Sequence, residues 1–247
     1  MAVAAAAVLG IGAVPAPASA SPDPGAVREH QGPNRRANFD ARTPDAQTLT
    51  ASRTKRQPAE VVKLHESLGV QGIVDIDPVT GTARRVARLD GFLTGESGKP
   101  ARDVAVGYLA AYPGVFGQTS ALRLRKDYVD VDGTHHLSFV QMVGEVPVFG
   151  NGVKADVTRS GQLIQVTGSP AASLPASLGA ARLSAAQARE AAARDAGVKA
   201  APRASEPTRL VAFATRGGAR LAWQTLSVRD GYLHVIDAVT GRVLYRQ

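Results

Sequence analysis

Between Leu122 and Gly168 the chain alternates apolar, β-branched and aromatic runs with short turn signals, and this punctuation constrains the fold more than any other feature. Leu122–Val131 and His135–Val143 read as strands joined through Asp132-Gly133-Thr134, a tight hairpin signal. Gly144-Glu145-Val146-Pro147 turns the chain into Val148–Thr158, and Arg159-Ser160-Gly161 turns it again into Gln162–Gly168. The pattern predicts an antiparallel meander. Helical periodicity precedes it at Pro100–Tyr112, which carries Val104, Val106, Tyr108, Leu109 and Tyr112, a helix opened by Pro and closed before Pro113-Gly114.

The same grammar recurs downstream. Ser184 is placed to cap a helix over Ala185–Ala196 that Gly197 ends. Strands follow at Thr208–Thr215, Arg220–Val228, Tyr232–Asp237 and Arg242–Tyr245. Upstream, Val61, Val62, Leu64 and Leu68 suit one face of a short helix ending at Gly69. Gly72–Asp77 and Thr82–Leu89 are strands joined by Pro78-Val79-Thr80-Gly81. That turn is echoed at Asp237–Arg242, which reads as recurrent turn chemistry because Gly supplies the positive φ. The expected fold is α+β: two small modules, each an antiparallel sheet with a helix on one face.

The flanks differ in character. Ala2–Val14 is an unbroken apolar run followed by Pro15-Ala16-Pro17-Ala18-Ser19-Ala20, which predicts a signal peptide over 1–20 cleaved after Ala20, although no Lys or Arg precedes it. The run is too short for a stable membrane span. Residues 21–59 lack apolar periodicity and read as a flexible basic arm. Between Arg28 and Lys63 eight Lys and Arg face four Asp and Glu, so this segment holds half of the formal net charge of +8. Charge concentrated there, with aromatics at only 5%, argues against nucleic-acid binding. Residues 169–181 are a small-residue linker.

No catalytic or metal-binding constellation emerges. Cys is absent, which excludes disulfides and thiolate chemistry. His65-Glu66 begins the pattern H-E-x-x-H, but Gly69 stands where the second His must be. His135 and His136 are neighbours on a strand and point to opposite faces, so they cannot share an ion. His30 and His234 stand alone, and each His reads as a surface or half-buried residue. Gly95-Glu96-Ser97-Gly98-Lys99 lacks the first Gly of a phosphate loop, with Leu93 in its place, and Pro100 stands where that loop needs a hydroxyl. No G-x-S-x-G elbow occurs. Trp223 reads as a core residue, with an interface anchor as the alternative.

His136–Val153, with its Gln141 at a strand end and Gly144-Glu145-Val146-Pro147-Val148-Phe149-Gly150, resembles the fungalysin/thermolysin propeptide (FTP) domain. The region from Ser184, through Leu221-Ala222-Trp223-Gln224 and Val235–Leu244, is similar to a PepSY-type module. Together with a basic arm, the pair resembles the pro-region of a secreted fungalysin-like zinc metallopeptidase. The resemblance implies an FTP-like module over 60–168 and a PepSY-like module over 182–247. It implies a secreted, non-catalytic chain that helps a zinc metallopeptidase domain fold and keeps it inactive, in cis or in trans. It also implies no cofactor in this chain, zinc being expected only in a catalytic domain after Gln247. Val243, Leu244, Tyr245 and Arg246, nearest that junction, are the candidate protease interface; the alternative is an edge strand completing the core. A stand-alone secreted inhibitor, an envelope binding module, and an enzyme with a dispersed site are the other readings.

Overall fold

The computed structural model describes residues 36–43, 58–199, 201–215, 217–227 and 231–247. The expected signal peptide, its Ala20 cleavage point and most of the arm lie outside them. Among the described residues strands predominate and the helices are few, an arrangement compatible with an α+β class.

Helix α1, Ala59–Leu68, buries Val61, Leu64 and Leu68 and stops at Gly69, whose φ of 73° an L side chain resists. Val62, one residue round the helix from Val61, points to solvent, contrary to its expected place on the buried face. Strands β2, Gly72–Ile76, and β3, Ala83–Arg88, form the first hairpin. Helix α2, Ala101–Ala111, buries Val104, Ala105, Tyr108 and Leu109. Pro113 does not only end α2; it opens a further single turn, α3, Pro113–Phe116, which buries Val115 and Phe116.

The predicted meander follows as β4, Leu122–Val129, β5, His135–Val143, β6, Val146–Val157, and β7, Leu163–Gly168. Antiparallel pairing gives the order β4-β5-β6-β7-β3-β2. Alternation along β6 sends Val153, Ala155 and Val157 into the core with Leu137, Phe139 and Val166, beneath α1, α2 and α3. The opposite face of these strands carries polar residues.

Helix α4, Ala185–Ala196, is opened by a full capping box: Ser184 Oγ accepts the Gln187 amide and Gln187 Oε1 accepts the Ser184 amide. Its buried side is Ala188, Ala191 and Ala192, small enough to sit closely on Ile236. Strands β8, Thr208–Thr215, β9, Gly218–Leu226, β10, Leu233–Asp237, and β11, Val243–Arg246, form a second meander.

The two meanders share a strand. β5 pairs along the length of β6, while the other edge of β6 meets β8 in parallel near its start, Val148 opposite Ala212, and β7 from Val153 onward. The described strands therefore form one connected eleven-stranded order, and Arg36–Gln247 is one compact unit. The stretch read as a linker is also packed. Ala171 and Leu174 are buried against Val143, Val148 and Ala212. Gln141, fully buried, accepts the Ala171 amide at 2.7 Å and donates to the carbonyls of Ala171 and Gln118.

Part of the expected arm is likewise ordered. Phe39–Asp40 forms β1, antiparallel to β11. Arg42, bonded to Asp40, lays its guanidinium 4.8 Å from the Phe213 ring centre and donates to the Phe149 carbonyl. Aromatic and ionic contacts thus anchor a segment without apolar periodicity.

Candidate functional site

The four residues expected at a protease interface sit on β11, and β11 is not an edge strand: β10 flanks one side and β1 the other. Leu244 is buried with Val211, Phe213 and Val235. Val243 packs beside α4, and the Tyr245 ring meets Phe149 at 4.9 Å. Arg246 donates to the Ala37 carbonyl at 2.7 and 3.0 Å and pairs with Asp195.

Asp195, at the end of α4, also bonds His234 at 3.1 Å and pairs with Arg36. Burial opposes its ionisation, but the bonds from Arg246 and His234 outweigh this and hold its carboxyl below the ordinary value. His234 is completely buried, so its reading as a surface or half-buried residue is corrected. An aspartate on a separate helix compensates its polarity, and no spacing in the sequence announces that pair. Trp223 is half-buried beside α4 and donates to the Leu183 carbonyl at 2.8 Å, in keeping with a core role.

His135 and His136 do diverge. His135 faces Asp127 at 3.0 Å, whereas His136 lies on the opposite, helix-free face of the sheet. There, β4, β5, β6 and β7 align Tyr128, His136, Asp156 and Gln165 in one row. The Tyr128 ring stacks on His136 with centres 5.8 Å apart. His136 Nδ1 meets Asp156 at 2.7 Å and Nε2 meets Asp130 at 3.1 Å, while Gln165 donates to the other Asp156 oxygen at 2.8 Å.

With a carboxylate at each ring nitrogen, both nitrogens must donate. The bonds to Asp156 and Asp130 therefore raise the His136 pKa, and the bond from His136 lowers that of Asp130. In its protonated form, which these bonds favour, the ring has no free lone pair for proton abstraction or metal ligation. It is a clamp. Asp130 Oδ1 also accepts the amides of Asp132 and Thr134, which fixes the hairpin tip.

Among the described residues no group of three or more His, Asp or Glu is arranged to hold a metal ion. No helix there is long and apolar enough to cross a membrane. A cavity of about 210 Å³ between Thr80, Asn151, Ser173 and Thr215 is lined by no acid or base.

A sequence comparison with curated proteins gives no match. Among solved structures, the Bacillus megaterium YpeB C-terminal domain is similar over 78% of this chain and 98% of that one, at 14% identity and a TM-score of 0.35, a likeness too distant to assign fold or role. Residues 120–170, the segment that builds β4 to β7 and contains the His136 row, match the Fungalysin/Thermolysin Propeptide Motif. The resemblance read from His136–Val153 falls within this match, and the chain carries a protease propeptide motif on its first meander.

Proposed function

We propose that the chain is the non-catalytic pro-region of a secreted fungalysin-like zinc metallopeptidase, binding the protease domain, assisting its folding and holding it inactive. The observation that carries this reading is the propeptide motif at 120–170, set on the β4–β7 meander. The all-antiparallel second meander with α4 on it suits the PepSY-like module expected over 182–247. In this reading Val243, Tyr245 and Arg246, each half-buried, are the candidate contact with the protease domain, while Leu244 serves the core. Association in one chain raises the effective concentration, so modest affinity suffices in cis.

The test supplies the folded chain in trans to fungalysin-like catalytic domains and measures peptidase activity and refolding yield. Inhibition and a raised yield are expected at about micromolar concentration. Unchanged activity and yield at tens of micromolar, roughly where weak contacts still register, overturn the reading.

A further inference from the structure

The β4–β5 hairpin ends in a run that the core does not use. Tyr128, Val129 and Val131 are 54%, 48% and 101% exposed, and they are consecutive apart from Asp130. Turn chemistry does not ask for valine at a tip, where polar residues serve equally well. The tip is nonetheless rigid. Asp130 exchanges backbone bonds with Gly133 and Thr134 at 3.1 and 3.0 Å, accepts two more amides through its side chain, and is held by His136. Tyr128 is held by stacking on that same ring. Tyr128 faces the helix-free side and Val129, opposite His135, the other, so the tip presents apolar surface on both sides, on a preordered element with little conformational entropy left to lose on binding.

Next to the tip, on the helix-free face, runs a second row: Lys126, Ser138, Lys154, Thr167 and Arg85, one residue from each of five paired strands. Its three cations stand two strands apart, roughly 10 Å each step. The ion pairs of this face join Arg84 to Asp75, His136 to Asp130 and Asp156, and Arg123 to Glu145. Lys126, Lys154 and Arg85 are exposed and outside every ion pair among the described residues. Their complement is a line of carboxylates. The exposed apolar tip beside the row favours a protein partner over a polyanion, which offers no apolar cleft.

We propose that the tip Tyr128–Val131 enters an apolar cleft on the partner protein, with the row Lys126–Lys154–Arg85 meeting an acidic border beside that cleft. The proposal rests on the pro-region reading and names the surface through which it acts. The experiment measures binding of the full chain to fungalysin-like catalytic domains by titration calorimetry. V131D and Y128A, each confirmed folded by circular dichroism, are expected to weaken binding about tenfold or more. The double reversal K126E/K154E is expected to weaken it and to flatten its salt dependence. V70D, at an equally exposed valine outside the motif, is the control and leaves affinity unchanged.

If the native chain binds and the tip variants bind as tightly, the tip assignment is overturned and the pro-region reading survives. If the native chain binds none of these domains, both fail. Salt-sensitive binding to a DNA duplex that K126E/K154E abolishes overturns the proposal by assigning the row to a polyanion.

Discussion

Gln141 lies inside the propeptide motif and binds the 169–181 stretch to the first meander, so its replacement gives a sharp test of the packing. In Q141L the side-chain volume is nearly kept, and the cavity cost is small. What is lost is the acceptor for the Ala171 amide at 2.7 Å and the donor to the carbonyls of Ala171 and Gln118 at 3.1 and 3.3 Å. Ala171 is only 6% exposed, so water does not readily take over. Two to three bonds at about 1 kcal/mol each, with a penalty for the stranded amide, sum to about 2–4 kcal/mol. At roughly 2–4 °C per kcal/mol for a domain of this size, Tm should fall by about 5–15 °C. Q141E should be worse at neutral pH, since a buried carboxylate would face two carbonyl oxygens. On protonation that carboxyl becomes a donor, so the deficit of Q141E should shrink as pH falls. Urea titrations at two pH values, with limited proteolysis at Ser169–Leu178, measure both effects. Q141L unfolding within about 0.5 kcal/mol of the native chain, with no new cleavage, would refute the reasoning.

Two further expectations come from the same meander. Gly161 has φ 78°, and a Cβ there would stand 2.0 Å from the Ser97 carbonyl oxygen, whereas Gly81 at φ 74° has open space. G81A should therefore cost about 1–2 kcal/mol, the conformational penalty alone, and G161A distinctly more; equal losses in urea unfolding would contradict the packing. Because the raised pKa of His136 is higher folded than unfolded, its contribution to stability is complete below the ordinary value of 6.5 and fades as pH rises through the raised one. NMR titration of its ring protons should place the midpoint above 6.5, and D156N should lower it; a midpoint at or below 6.5 would break the clamp argument.

What the sequence determined by itself was the set of local elements. Gly69, Gly133, Gly161 and Gly197 end helices or turn hairpins where a positive φ is needed, and these positions were legible because only a few residues decide each one. The Ser184 cap and the face of Val61, Leu64 and Leu68 were legible for the same reason. The Asp77–Gly81 and Asp237–Gly241 turns, read as recurrent chemistry, are built alike, each with an aspartate oxygen accepting the amide two residues on. The resemblance at His136–Val153 was legible too, because its Gln141 and its turn residues lie close together in the chain.

Tertiary structure decided how these pieces join. That β6 pairs with both meanders, that β1 covers β11, and that Gln141 holds Ala171 are pairings between distant segments, which no periodicity encodes. His234 illustrates the limit: its burial depends on Asp195, Arg246 and the returning Arg36 segment meeting at one place. The exposed tip was equally hidden, since Tyr128–Val131 reads as ordinary strand until the helices are seen to cover other strands and leave it bare. Backbone dihedrals and neighbouring hydrogen bonds are local constraints, whereas burial and strand pairing are properties of the assembled chain.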